Sequence, residues 1–159
     1  MSNPPEERFK TNLISLAEYI VDVNQDAVNR GHKLMESSVL NLGVGILKVI
    51  SGPSMVETFV RNSSPHWDKI RSRDQDYFNS KALDFFEGIP EGQIVAIRLL
   101  LTGKNDKGEF YVKDEVREMI WKYLESFVRI SIRYLAPNGK GLLPESKFQL
   151  EVQNWNIKI

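Results

Sequence analysis

Between Val116 and Tyr134, apolar side chains recur at alternating steps of four and three: Val116, Ile120, Tyr123, Phe127, Ile130 and Tyr134. An α-helix, at about 3.6 residues per turn, gathers that spacing onto one face. Met119, Leu124, Val128 and Leu135 widen the stripe to roughly half the circumference, so the helix needs neighbours on several sides. A chain with such a segment has to be built around it. Asp114 is the predicted cap, and Glu115 and Glu118 complement the helix dipole in the first turn. Glu118/Lys122 and Glu125/Arg129 stand four apart in the favourable order, each pair worth about 0.2–0.5 kcal/mol on a solvated face.

The rest of the chain reads as shorter helices. Asn3 followed by Pro4, Glu6 and Glu7 predicts a helix start, and Phe9, Leu13, Leu16, Ile20, Val23 and Ala27 carry the core stripe of a helix ending near Gly31. Val39 to Ile50 is the most apolar stretch, yet it contains Asn41 and Lys48 and falls far short of the roughly 20 residues that cross a bilayer. No membrane span is expected, and the stretch belongs in a core or an interface. Gly43 and Gly45 either let another backbone approach closely or divide the segment into a helix and a short strand. Ser54-Met55-Val56-Glu57 has the pattern of a capping box for a helix through Arg61, and Ser64-Pro65 begins the next. Ser80 to Glu87 and Gln93 to Leu101 follow, stopped by Gly88 and Gly103.

After Pro137-Asn138-Gly139-Lys140-Gly141 the period changes. Phe148, Leu150 and Val152 alternate with polar residues, then Trp155, Ile157 and Ile159 alternate in the opposite phase, with a bulge or turn at Gln153-Asn154. The predicted fold is mainly α. A single bundle-like helical domain spans 1–136, and a short extended or β segment spans 137–159 and packs on that domain or on a partner.

Composition narrows the chemistry. The 159 residues include no cysteine, which excludes disulfides, thiolate zinc sites, iron–sulfur clusters and cysteine nucleophiles. Lys and Arg number 21, as do Asp and Glu, so the chain lacks the overall positive charge of a general nucleic-acid or anionic-membrane binder. Neutrality favours self-association instead. The acidic, proline-bearing start lacks the basic and apolar runs of a secretory leader, and a cytoplasmic setting is expected.

Motifs for catalysis are weak. His66 stands near Asp68, Asp74, Asp76 and Asp84, but on one helix Asp68 points about 200° away from His66, so a solvated charged face accounts for them better than a metal site. Gly43-Val44-Gly45-Ile46-Leu47-Lys48 lacks the ending and the preceding strand of a phosphate loop. No nucleophile elbow is present. No cofactor is implied. A small enzyme using paired carboxylates from distant segments stays open as a rival reading.

Two binding surfaces suggest themselves. Lys69, Arg71 and Arg73 beside Trp67, with Arg129 and Arg133 one turn apart, form a candidate nucleic-acid patch; residues 129–159 hold five basic and two acidic side chains, net +3, against −2 for residues 1–30. Phe148, Leu150, Val152, Trp155, Ile157 and Ile159, with Trp67, are the candidate partner-binding residues, too apolar to leave in water. They either dock on their own helical body or add to a neighbouring subunit. The expected function is a non-enzymatic structural or protein-interaction role, with self-association through apolar helix faces and the tail.

The runs Trp67-Asp68-Lys69-Ile70-Arg71-Ser72-Arg73-Asp74-Gln75-Asp76-Tyr77-Phe78 and Ile120-Trp121 to Val128-Arg129-Ile130-Ser131-Ile132-Arg133-Tyr134 resemble small, largely uncharacterised helical proteins of nucleocytoplasmic large DNA viruses. The resemblance covers residues 64–136. It implies a setting, the host cytoplasm or the virion, and carries over no catalytic or binding residues.

Overall fold

In the computed structural model, which describes residues 3–32 and 34–158 and every side chain among them except that of Leu83, the chain is mainly helical. The helices are α1 (Pro5–Asn29), α2 (Ser37–Val49), α3 (Gly52–Ser63), α4 (Trp67–Arg71), α5 (Gln75–Phe85), α6 (Glu91–Thr102), α7 (Asp114–Leu135) and α8 (Glu145–Asn154), with a single 3-10 turn at Ser64–His66. Among the described residues no β-strand forms, and the one β feature is an isolated antiparallel bridge between Lys104 and Phe110.

The stripe that predicted α7 is the centre of the molecule. Ile120, Leu124, Phe127, Val128, Ile132 and Leu135 are fully buried, and α1 lies along this helix. Phe9 of α1 reaches between Phe59 of α3 and Phe127 of α7, with ring centroids 5.3 and 5.1 Å away. Such tilted aromatic contacts add to the large apolar area each ring already removes from water. Trp121, on a flank of the same helix, packs edge-on against Phe78 of α5 at 5.7 Å.

The helix ends follow local chemistry, in places displaced from the sequence reading. Pro4 rather than Asn3 occupies the cap of α1, with Pro5 in the first turn, where a missing N–H costs nothing. At the other end Gly31 adopts φ +95°, and the His32 N–H bonds back to the Ala27 carbonyl, closing the helix. Asn24, buried in α1, then clamps the following loop: its amide donates to the Met35 carbonyl (2.7 Å) and accepts from the Met35 N–H (3.2 Å). Ser51, three residues before the expected capping box, caps α3 by accepting from the Ser54 N–H.

The extended C-terminal segment expected from the sequence is corrected by α8. Phe148, Val152 and Trp155 are spaced i, i+4 and i+7, so one apolar set satisfies a helical period as well as an alternating one. Helix wins because Phe148 and Trp155 then face α7 together, at 1% and 3% exposure, while Leu150 turns outward. The reversal placed at Gln153-Asn154 is the end of this helix, where Asn156 takes φ +53° and the Ile157 N–H bonds to the Val152 carbonyl, returning Ile157 to the core.

Candidate interaction surface

Among the described residues, four of the seven large hydrophobic side chains that stay exposed lie on α2: Val39 (43%), Leu42 (67%), Ile46 (43%) and Val49 (84%). Their spacing is three, four, three, so they form one row along the helix. A second row, Leu40, Gly43, Val44 and Leu47, is buried against α1 and α6. The helix is thus apolar on two faces, and the molecule covers one.

Gly43 explains how the inner row comes so close. A Cβ at this position would stand 2.5 Å from Gln93 Nε2 and 3.0 Å from Gln93 Cγ, and Gln93 Nε2 donates to the Leu40 carbonyl at 2.6 Å. Gly45, between Leu42 and Val49 on the outer side, meets nothing within 4 Å. The two glycines therefore neither break the helix nor build a phosphate loop; one fits an internal contact and the other leaves the outer face low. Lys48 is the only charged residue of α2, and its carbonyl accepts from Lys10 Nζ at 2.9 Å. Beyond the N-terminal end of α2 lies a shallow groove of mixed character, lined by Val28, Leu34 and Met35 together with Gln25, His32, Glu36 and Ser37.

The partner-binding residues named from the sequence are mostly drawn inward. Trp67 is fully buried with its indole N–H donating to Ser63 Oγ at 2.9 Å, and Phe148, Trp155 and Ile157 are buried as well. Val152 packs partly against the core, Leu150 is half exposed, and Ile159 lies outside the described residues. Within this single chain the tail docks on its own body.

The basic residues of the candidate nucleic-acid patch are largely engaged in internal contacts. Arg73 forks onto both carboxylate oxygens of Glu125 (3.0 and 3.1 Å) and also reaches Glu118. The two glutamates expected to pair with Lys122 and Arg129 along α7 thus converge on a residue from the α4–α5 turn. Hydrogen bonding to both glutamates pushes the Arg73 guanidinium up, and the same contact holds the Glu118 carboxyl below the usual range. Arg73 adopts φ +54° as the left-handed residue closing α4, a conformation that its side-chain contacts help hold. Lys69 pairs with Asp74 at 3.8 Å and lies over the Tyr77 ring. Arg129 donates to the Trp155 carbonyl (2.7 Å) and Arg133 to the Lys158 carbonyl (3.1 Å), so both hold the tail. Arg71 is exposed.

His66 belongs to an aromatic cluster, its Nδ1 2.7 Å from the Tyr77 hydroxyl and its ring stacked on Phe85. Asp74 caps α5 by accepting from the Tyr77 N–H. Among the described residues, no three His, Asp or Glu side chains group closely enough to hold a metal ion. No single helix there is long and apolar enough to cross a membrane; α2 and Gly52–Arg71 pass by length and composition only as a pair bent by 110°.

Fold and surface define a small helical protein built around one buried helix, with a second apolar face of α2 left outside. Comparison with protein-family models, with curated proteins and with solved structures finds no match.

Proposed function

We propose that the protein is a non-enzymatic interaction or structural protein that self-associates through the outer face of α2. The observation that carries this reading is the exposed row Val39, Leu42, Ile46 and Val49. A second copy suits it for a geometric reason. The three-four-three spacing is the same read from either end, so two antiparallel α2 helices related by a dyad beside Val44 would set Val39 against Val49 and Leu42 against Ile46. Each copy would present the same patch, as a two-fold interface requires. The two Lys48 residues would then be eight positions apart along the helices, about 12 Å, beyond the Debye length at physiological salt. A parallel pairing would place them side by side. Zero net charge adds no long-range repulsion between copies.

The open face at Gly45 lets the backbones draw near, as small residues do at close helix crossings. Paired alone, α2 covers a strip about 20 Å long and 10 Å wide, well under the roughly 800 Å² per partner of a stable interface. Val28, Leu34 and Met35 in the groove beyond its N-terminal end would add to it, and the dimer is expected to be concentration-dependent. The viral setting, in host cytoplasm or virion, rests on the sequence resemblance alone; a self-associating helical protein is compatible with it.

Light scattering behind size-exclusion chromatography, across a dilution series, tests the reading. The wild-type chain should shift from monomer to dimer with rising concentration, and Leu42→Glu and Ile46→Glu should stay monomeric with unchanged melting, since both positions are exposed. A monomer at every concentration would overturn the proposal, as would a dimer indifferent to these substitutions. Binding to phosphatidylcholine vesicles that the same substitutions remove would assign the face to lipid instead.

A further inference from the structure

A cavity of about 230 Å³ opens between α1, the end of α2, α3 and the turn that links α5 to α6. Leu13, Leu47, Met55, Phe59, Phe86 and Ile89 make most of its wall, and its polar lining comes from Ser54, Thr58 and Glu87. Leu13, Leu47, Phe86 and Ile89 also bound a smaller void of about 10 Å³ immediately behind it, whose lining includes Gln93.

Gln93 is 2% exposed, and its Oε1 has no hydrogen-bond partner within the protein. The orientation of the amide is fixed, because Nε2 donates to the Leu40 carbonyl and a carbonyl can only accept. An acceptor buried without a donor costs about 1–3 kcal/mol, and native proteins rarely leave one so. Gln93 lines a void with room for about one water-sized group.

We propose that the cavity binds a small, uncharged alcohol or phenol, its apolar body in the outer chamber and its hydroxyl in the inner void, donating to Gln93 Oε1. The size follows from volume. An apolar cavity of about 150 Å³ takes the six carbons of benzene, which scales to about nine carbons here. The charge follows from the lining. A carboxylate or phosphate would meet the Glu87 carboxylate on the way in and then lose its hydration against apolar walls, whereas a hydroxyl loses little and finds an acceptor.

The test uses the full chain and three nine- or ten-carbon probes of similar shape: para-propylphenol, propylbenzene and para-propylbenzoate. By titration calorimetry and thermal shift, para-propylphenol should bind saturably and raise the melting temperature. Propylbenzene should bind about tenfold more weakly, the worth of one neutral hydrogen bond, and para-propylbenzoate not at all. Ser54→Phe, at an exposed position of α3 that lines the cavity, should abolish binding with the fold intact. Methyl resonances of Met55, Ile50 and Ile89 provide a second readout and should move on titration only in the unsubstituted chain. Equal binding of the phenol and the hydrocarbon would overturn the proposal by reducing the inner void to a water site. Undiminished binding by Ser54→Phe, or none by para-propylphenol up to its solubility limit, would overturn it as well.

Discussion

Gly43 and Gly45 are two residues apart on α2, and an alanine at each should change stability in opposite directions. Replacing a helical glycine by alanine gains about 1 kcal/mol, because the unfolded glycine has more backbone freedom to lose. At Gly45 nothing lies within 4 Å of the new Cβ, so the gain should appear almost whole. At Gly43 the Cβ would meet Gln93 Nε2 at 2.5 Å, Cγ at 3.0 Å and Cδ at 3.2 Å. Gln93 has no solvent to move into at 2% exposure, and any shift lengthens its 2.6 Å bond to the Leu40 carbonyl. Overpacking costs about 1–3 kcal/mol and the stranded amide about as much again, so after the helical gain of about 1 kcal/mol Gly43→Ala should lose about 1–5 kcal/mol. Urea unfolding followed by circular dichroism measures both, and an Ile46→Glu background keeps self-association from entering the comparison. If Gly43→Ala stabilised the protein as much as Gly45→Ala, the close contact between α2 and Gln93 would be refuted, and with it the fixed amide that the cavity proposal uses.

Two further outcomes follow from the same contacts. Phe148→Ala and Trp155→Ala should each destabilise the whole domain by about 3–5 kcal/mol, because both rings are buried against the body; unfolding in denaturant that leaves the domain's midpoint unchanged would show the tail to be dispensable. Tyr134 donates to Glu57 at 2.6 Å, and that bond, with burial and the charges of Glu57 and Glu6, pushes its hydroxyl up to about 12. The stabilisation is full below the unfolded value near pH 10 and is lost as pH rises through about 12, so melting temperature should fall more steeply over that window in the wild type than in Tyr134→Phe.

Helical periodicity was legible wherever a long apolar stripe existed, as in α1 and α7, because the 3.6-residue period is local and repeats often enough to be unmistakable. It misled in the tail, where Phe148, Val152 and Trp155 fit two periods and only the docking of both rings against α7 chose between them. The exposed apolar face of α2 was half legible. Val39 to Ile50 was recognisable as core or interface from its apolarity, and the leftover row could have been found by noticing that a helix here carries two apolar faces rather than one. Which row turns inward is set by packing on α1 and on α6, Gln93 included, and local sequence holds no record of those contacts.

The chain by itself determined a cysteine-free, charge-balanced helical protein centred on the segment from Asp114 to Leu135, since composition and periodicity are properties of neighbouring residues. Only the tertiary structure decided that the basic side chains at 73, 129 and 133 bind glutamates and tail carbonyls, that Trp67 and Trp155 are core, that the outer face of α2 stays exposed and that a cavity opens near the end of that helix. The physical reason is that charge pairing, burial and unpartnered acceptors depend on side chains distant in sequence meeting in space, and those meetings are set by packing rather than by pattern.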